Sequence, residues 1–392
     1  MLTEFRELVL RVLATADNHL DFSAVQFGPK RYERKMDFQR CFMAVMDYAL
    51  KNKPDVVLIG GDLFDNINPR NPPRSFLMRT FRELHDNEIR VIAVSGEHDT
   101  PKSQEQGASP LTVYSESGCI IFCQNYQHPT SITFSTRDDD KVVVTGLSHS
   151  PFALAGIDPL DGFAPMEHGD INVLLTHYPI SGFQGYFAND SVIQLSSIPR
   201  DYQLVVSGHL HAHQQTTSRE TVLIYPGSTE RTSITEAPDK KGFVWLELTK
   251  DGLLAEPQFL PTPTREVKLL KYQIPEEGDL TALLKNELER IKNPELALWL
   301  RVMGKTTPQR LATYKRPVLQ TLAAEAFFHV SIEDTWELEQ EKPLNALPRS
   351  TPLQELARYF EGEIAKVSSE RKQELRESLE TARDLLKEFG AW

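Results

Sequence analysis

The sequence contains few cysteines, no long apolar run and no excess of basic residues. Its three cysteines, Cys41, Cys119 and Cys123, are too few for a disulfide framework and suit a reducing cytosol. Cys119 and Cys123 bracket an apolar stretch, so we expect both in the core and neither on a metal. No segment has the apolar length of a transmembrane helix or a signal peptide. We therefore expect a cytoplasmic protein that does not bind membranes.

The shortage of basic residues also limits the ways in which the protein can bind a polyanion. The formal net charge of the 392 residues is -12, so the overall electrostatic field does not attract nucleic acid. A polyanionic substrate would have to be held by metal ions and local basic side chains. With 40% hydrophobic and 25% charged residues, the composition is that of a soluble protein with one large domain and one or two smaller ones.

The most informative stretch is an apolar run, Val56–Ile59, that is followed by Gly60, Gly61 and Asp62. The run is typical of a buried parallel strand, and the two glycines allow a sharp turn after it. The turn delivers Asp62 to the carboxyl end of the strand, where open α/β sheets bind their ligands. Taken alone, Asp62 could simply cap the next helix.

Four further strand-like runs end in side chains that bind metals. The runs Val9–Ala16, Arg90–Val94, Ile171–Leu175 and Leu204–Val206 lead to Asp17 and His19, to Glu97 and His98, to His177, and to His209 and His211. Such a mixture of carboxylates and imidazoles suits manganese, iron or zinc better than magnesium or calcium alone. Two divalent ions about 3.5–4 Å apart, bridged by Asp62, would clamp a phosphoryl group. The pattern therefore predicts hydrolysis of phosphoesters.

The order of strand-like and helix-like runs predicts an α/β fold, a sheet sandwich flanked by helices with the ligand loops at one edge. We expect this domain over residues 1–260. After a proline-rich linker, residues 265–340 alternate strands and helices, with one helix expected from Thr307 to Ala323, and predict a small α+β domain. Residues 350–392 predict two amphipathic helices, the first capped by Ser350 or Thr351 ahead of Pro352. Their apolar seams would either pack within the chain or dock a partner helix or coiled coil.

These motifs, in this order, resemble those of the calcineurin-like metallophosphoesterases. The finer match is to the Mre/SbcD nucleases of DNA double-strand-break repair, and it spans roughly residues 8–250. The segments that carry it are Asp17-Asn18-His19-Leu20, Gly61-Asp62-Leu63-Phe64-Asp65, Gly96-Glu97-His98-Asp99, Gly208-His209-Leu210-His211 and Tyr225-Pro226-Gly227-Ser228. The resemblance implies the calcineurin-like β-sandwich flanked by helices, with a DNA-capping domain and C-terminal helices.

The resemblance also implies an activity and the residues that would perform it. The chain would be a manganese-dependent DNA exonuclease or endonuclease with two divalent ions, acting on double-stranded DNA ends. Asp17, His19, Asp62 and His211 would hold the first ion, and Asp62, Glu97, His177 and His209 the second. His98 would be the catalytic imidazole. The implied assembly is a homodimer whose C-terminal helices bind an SMC-like coiled-coil ABC ATPase.

One position departs from the family pattern, which has Asn where this chain has Glu97. Glu is longer by one methylene and adds a negative charge. We expect Glu97 to remain a metal ligand, although it could also displace the attacking hydroxide or repel phosphate. Among the basic residues near the ligand loops, Arg31, Arg34, Arg70, Arg74 and Lys102 would either be solvated or contact DNA phosphates without reading sequence.

Two other functions stay open on the sequence alone. A stand-alone phosphoesterase for small substrates would not need residues 350–392, so their removal would leave activity and assembly unchanged. A metal-binding scaffold with weak nuclease activity, disabled by Glu97, would bind metal and its partner without turnover. The C-terminal helices and the family-like segments favour the nuclease over the small-substrate enzyme.

Overall fold

The structure is a computed structural model that describes residues 9–136, 139–338 and 351–388. The chain divides into two compact units. The first comprises Met1–Tyr272, Leu284–Val302 and Arg316–Asp334, and the second comprises Gln273–Leu283, Met303–Lys315 and Thr335–Trp392. The division into domains at residues 1–260, 265–340 and 350–392 stays a prediction.

Two β-sheets form the body of the first unit. In chain order their strands are β1 (Leu10–Thr15), β2 (Val56–Gly60), β3 (Arg90–Val94), β4 (Ile121–Phe122), β5 (Thr130–Ser135), β6 (Lys141–Leu147), β7 (Ile171–Thr176), β8 (Leu204–Ser207), β9 (Gln214–Ser218), β10 (Thr221–Tyr225), β11 (Gly242–Thr249), β12 (Gly252–Leu253) and β13 (Gln258–Pro261). The first sheet has the order β12-β11-β1-β2-β3-β4, with β13 also paired to β11, and the second has the order β5-β6-β7-β8-β10-β9.

The strands that carry the predicted ligands run parallel within each sheet. β1, β2 and β3 pair in parallel register, for example Thr15 with Ile59 and Gly60 with Val94. β7 and β8 do the same in the second sheet, with Thr176 opposite Ser207. Because parallel strands end at one edge, the loops after them open on the same side of each sheet.

The core lies between the two sheets and on their outer faces. Alternating residues such as Val12, Leu58 and Ile92 from the first sheet pack against Val144 and Val173 from the second. Helices α1 (Arg31–Asn52), α2 (Asn71–Asp86) and α3 (Thr112–Glu116) belong to the same unit. Apolar side chains of α1 and α2 cover the outer face of the first sheet.

The outer face of the second sheet is covered differently. Turns and loops between residues 148 and 203 pack Tyr178, Ile180 and Ile193 onto it, and this stretch of the described chain contains no helix. The predicted layered α/β sandwich is confirmed, with helices on one of its two outer faces. Its glycine-, proline- and aspartate-rich sequence explains why the stretch forms turns.

The segment after β13 alternates strands and helices, as expected. It contains β14 (Val267–Gln273), α4 (Leu280–Arg290), β15 (Asn293–Thr306), α5 (Pro308–Leu311), α6 (Arg316–Ala326) and β16 (Phe327–Leu338), and the three strands form one sheet in the order β14-β15-β16. One continuous helix from Thr307 to Ala323 was predicted, and this is wrong. Pro317 has no backbone N–H to donate to a preceding turn, so α5 ends before it and α6 begins at Arg316 with Pro317 in its first turn.

Two helices follow at the C-terminus, α7 (Pro352–Ala365) and α8 (Ser369–Glu388). Thr351 caps α7 in a capping box with Gln354, and Pro352 occupies its first turn. In the predicted seams, Leu379 is buried, while Leu356 and Phe360 are only half-buried. A second linker is predicted at Pro343–Pro352, and its residues 343–350 lie outside the described residues, as does the predicted seam residue Phe389. Within the described chain, no helix has the length and apolarity needed to cross a membrane.

Candidate metal centre

The predicted ligands follow the strands of both sheets and meet at one edge of the sandwich. The loops after β1 and β2 continue the parallel pairing of their strands, because the Asp17 amide donates to the Gly61 carbonyl and the His19 amide to the Asp62 carbonyl, both at 3.0 Å. The second sheet joins them through the His209 amide, which donates to Asp17 Oδ1 at 3.0 Å. Backbone hydrogen bonds therefore fix the relative positions of these loops.

Two groups of side chains form within this edge. In the first, ligand atoms of Asp17, His19 and His211 lie within 4.8 Å of one another, and the two Nε2 atoms are 3.1 Å apart. In the second group, Glu97 Oε2 lies 3.1 Å from His177 Nε2 and 2.8 Å from His209 Nδ1.

Asp62 lies between the two groups. Its Oδ2 is 3.4 Å from His177 Nε2, and Asp17, Asp62 and His177 form a further close set. The structure thus brings all seven side chains predicted as ligands into two groups around one carboxylate.

Each of the four imidazoles has one nitrogen near this centre and the other against an oxygen atom outside it. The outer contacts are His19 Nδ1 to Asp65 Oδ1 at 3.3 Å, His177 Nδ1 to the Gly60 carbonyl at 2.7 Å, His209 Nε2 to Asp190 Oδ2 at 3.4 Å, and His211 Nδ1 to Glu236 Oε1 at 3.1 Å. For His177, His209 and His211 the oxygen is within hydrogen-bond geometry and can hold a proton on the outer nitrogen, which leaves the inner lone pair free, as in histidines that bind metals. His19 Nδ1 lies beside Asp65 but forms no hydrogen bond among the described residues.

A buried carboxylate oxygen provides a separate test of whether cations fit here. Asp17 is fully buried, and its Oδ2 has no hydrogen-bond partner among the described residues. Such an orphaned charged oxygen is costly unless a cation neutralises it. The donor set of carboxylate oxygens and imidazole nitrogens also fits transition-metal ions. The residues present therefore fit a pair of divalent ions.

The backbone at the centre is strained. Asp17, His19, Asp62 and His209 all have positive φ angles between 45° and 84°. Non-glycine residues rarely adopt this conformation, and where they do it clusters at functional sites. The neighbouring Gly61 has φ +94°, and a Cβ on it would collide with the ring of His177. The glycine before Asp62 is thus required by both its conformation and its contact.

Electrostatics at the centre couple imidazoles to carboxylates. Burial acts to raise the pKa of Asp62, but His177 outweighs it and lowers this pKa to about 2. Burial opposes protonation of His177, yet Asp62 and Glu97 raise its pKa well above the usual value. Asp62 and Glu97 therefore favour a proton on the His177 ring. Metal ions would take over this charge, because bound ligands must lose their protons.

His98 lies at the open side of the centre. Its amide donates to Asp62 Oδ1 at 2.9 Å, its Nδ1 is 3.0 Å from the Asp65 carbonyl, and its Nε2 is 4.0 Å from Asp62 Oδ2. Burial lowers the pKa of His98, but Asp62 and the Asp65 carbonyl raise it more, so the net shift is upward. The imidazole is thus held beside the metal ligands, and its surroundings stabilise the protonated form relative to a free imidazole.

Four further residues support the centre and were not predicted as functional. They are Asp65, Asp99, Asp190 and Glu236. The fully buried Asp99 accepts hydrogen bonds from the amides of Gly96 at 2.7 Å and Leu63 at 2.9 Å, and burial with Asp62 nearby raises its pKa to about 7. Asp65 and Asp99 belong to the segments Gly61–Asp65 and Gly96–Asp99, so their position in these motifs could have indicated a functional role. Asp190 and Glu236 lie in loops without any motif.

The basic residues expected at DNA have different environments. Arg34 is buried, and its Nη1 forms ion pairs with Asp37 at 3.1 Å and Glu230 at 3.2 Å. The structure contradicts the expectation that Arg34 contacts DNA, because its guanidinium is buried and paired with carboxylates of the protein. Arg70 is exposed but paired with Asp21 at 2.6 Å. Arg31 and Lys102 are exposed, and Arg74 is half-buried.

Comparison with known proteins places these features in a family. The calcineurin-like phosphoesterase model matches residues 10–213, slightly more than half of the chain. The chain is 28% identical over 297 residues to the DNA double-strand break repair protein Mre11 of Aeropyrum pernix, which is 72% of this chain and 68% of that protein. With the Mre11 of Sulfolobus acidocaldarius it is 22% identical over 392 residues, which is 97% of this chain and 90% of that protein.

Proposed function

Because the chain belongs to the calcineurin-like phosphoesterase family, we propose that it is a metal-dependent DNA phosphodiesterase that processes the ends of DNA double-strand breaks. The observation that carries the proposal is the meeting of two imidazole-carboxylate groups at Asp62. Similarity to a DNA double-strand break repair protein over nearly the whole chain favours DNA as the substrate.

The family implies two divalent ions, and Mn²⁺ is the metal that we propose. Asp17, His19, Asp62 and His211 would hold the first ion, and Asp62, Glu97, His177 and His209 the second. When bound, the ions would neutralise charge on the phosphodiester and acidify water. The chain's own residues orient the ligands, because the outer oxygens fix which nitrogen of His177, His209 and His211 faces the centre.

His98 is proposed as the catalytic imidazole. Its Nδ1 is held against the Asp65 carbonyl, so the ring presents Nε2 to the substrate side. A protonated imidazole in this position can donate a proton to the leaving 3′ oxygen or stabilise negative charge that develops there. Because His98 is not one of the seven proposed ligands, its loss should reduce cleavage without removing the ions.

The proposed partners are DNA ends, a second copy of the chain and an SMC-like coiled-coil ABC ATPase. The half-buried seams of α7 and α8 support docking, since Leu356 and Phe360 keep apolar surface exposed after the two helices pack. Arg31, Arg70, Arg74 and Lys102 remain proposed phosphate contacts, of which Arg70 would have to exchange Asp21 for a phosphate. A cytoplasmic location is proposed, because all three cysteines are free and buried.

The proposal is tested by DNA cleavage with the purified chain. Linear and hairpin-ended double-stranded DNA would be incubated with Mn²⁺ and with wild type, His98→Ala or Glu97→Asn. We expect cleavage by wild type and its loss in His98→Ala. An inactive wild type with cleavage by Glu97→Asn would instead support the scaffold. Cleavage of small phosphoesters but not DNA by both wild type and a chain lacking residues 350–392 would support the stand-alone phosphoesterase.

A further inference from the structure

A buried lysine stands behind one of the metal-binding histidines. The side chain of Lys241 has no solvent exposure, and its Nζ lies 2.6 Å from Glu236 Oε2. The same Nζ donates to the His211 carbonyl at 2.9 Å. A buried charge is unfavourable unless it is paired and hydrogen-bonded. Lys241 meets both conditions through Glu236, through Asp239, whose Oδ2 lies 3.4 Å from Nζ, and through the His211 carbonyl.

Glu236 connects this lysine to the ring of His211. Its Oε2 binds Lys241, and its Oε1 lies 3.1 Å from His211 Nδ1 and also accepts from the Thr232 hydroxyl. Both carboxylate oxygens are therefore occupied, which prevents the side chain from rotating away. With the proton held on Nδ1, the His211 Nε2 lone pair faces the centre, 3.1 Å from His19 Nε2.

The other outer carboxylates lack this support. Asp65 and Asp190 contact His19 and His209 at the longer distances of 3.3 Å and 3.4 Å. Within the described residues, no lysine or arginine forms an ion pair with either of them. Among the three ligand histidines that contact an outer carboxylate, His211 is thus the one whose carboxylate is paired with a lysine in the described chain, and both Glu236 and Lys241 are buried.

We propose that Glu236 and Lys241 are positioning residues that hold His211 in its ligand orientation and so set the affinity of the ion bound by Asp17, His19 and His211. This inference rests on the two-ion site of the proposed function. Neither residue touches substrate or the ion, so they act only through His211. Outer partners of this kind typically change metal affinity by about 10- to 100-fold.

The test measures Mn²⁺ binding directly, by titration followed by electron paramagnetic resonance, on the full chain. In Glu236→Gln and Lys241→Met we expect one of the two ions to bind about 10- to 100-fold more weakly, while the other is retained. Cobalt substitution adds a spectroscopic readout, because a reoriented imidazole changes the visible absorption of bound Co²⁺. A merely structural role would leave that spectrum unchanged.

The chain offers a matched control. Asp201 Oδ2 lies 2.6 Å from His168 Nδ1, a histidine-carboxylate pair outside the metal centre, so Asp201→Asn should leave affinity and spectrum unchanged. If Glu236→Gln does not fold, Glu236→Asp tests the same contact with the charge beside Lys241 kept. Wild-type affinity and spectrum in the folded variants would overturn the inference alone, whereas a wild type that binds no divalent ion would overturn the proposed function as well.

Discussion

Glu97 allows the sharpest test of how the two ions are held. In the structure its Oε2 contacts both histidines of the second group, at 3.1 Å from His177 Nε2 and 2.8 Å from His209 Nδ1. Glu97→Asn would remove one negative charge and shorten the side chain by a methylene. We therefore predict weaker binding of the second ion and little change in the first, because the outer nitrogens of His19 and His211 lie beside Asp65 and Glu236 and not beside Glu97.

The contacts that Glu97 makes set the expected size of the change. Interactions with a charged partner contribute about 1.5–3 kcal/mol each in proteins. Every 1.4 kcal/mol of binding free energy is a tenfold change in affinity. Loss of one such interaction should therefore lower the affinity for the second ion by about 10- to 150-fold. With Mn²⁺ in excess, the Asn variant should still cleave DNA, because the second ion loses a charged ligand and becomes more electrophilic.

The assay is a Mn²⁺ titration that resolves two binding steps, followed by cleavage rates at limiting and saturating Mn²⁺. Glu105→Gln is a suitable control, because it removes the same charge from an exposed turn near the same loop. Equal affinities of wild type and Glu97→Asn for both ions would refute the assignment of Glu97 as a ligand. A metal-bound structure with Glu97 turned away from both ions would do the same.

Three further predictions concern catalysis, the ligand loop and stability. His98→Ala should reduce DNA cleavage by about 10²- to 10⁴-fold while two Mn²⁺ ions still bind, and loss of an ion would contradict this. Gly61→Ala should abolish metal binding, because a methyl group would meet the His177 ring at φ +94°, and normal binding would contradict the close approach of these loops. Asp37→Ala should destabilise the first unit by about 3–5 kcal/mol in chemical denaturation, because it leaves Arg34 and Arg265 buried and partly unpaired, whereas the exposed Glu33→Ala should have little effect.

The inner ligands could be predicted because each one follows a recognisable strand. Parallel strands place their carboxyl ends at the same edge of a sheet, so the strand pattern alone predicts that Asp17, Asp62 and His177 lie close together. The spacing of the apolar residues also predicts the two-sheet sandwich and the positions of most helices. The helix expected from Thr307 to Ala323 is interrupted before Pro317, because apolar spacing does not encode the break that a proline imposes.

The outer contacts could not be predicted in the same way. Glu236 and Asp190 lie in irregular loops, and no sequence spacing relates either one to the histidine that it orients. Arg34 shows the opposite failure, because its position beside a ligand loop suggested DNA while its ion pairs with Asp37 and Glu230 place it in the core. The direction in which each side chain points determines whether it contacts a ligand or the core, and the sequence pattern does not show that direction.

The charge of the centre resolves the conflict between a net charge of -12 and a polyanionic substrate. Three inner carboxylates, Asp17, Asp62 and Glu97, contribute three negative charges, and the outer Glu236 is balanced by Lys241. Two divalent ions would contribute four positive charges, so the inner shell would change from negative to slightly positive on metal binding. An Asn at position 97 would leave it more positive still. The affinity of this centre for a phosphodiester therefore depends on its metal ions, and Glu97 reduces the attraction that they provide.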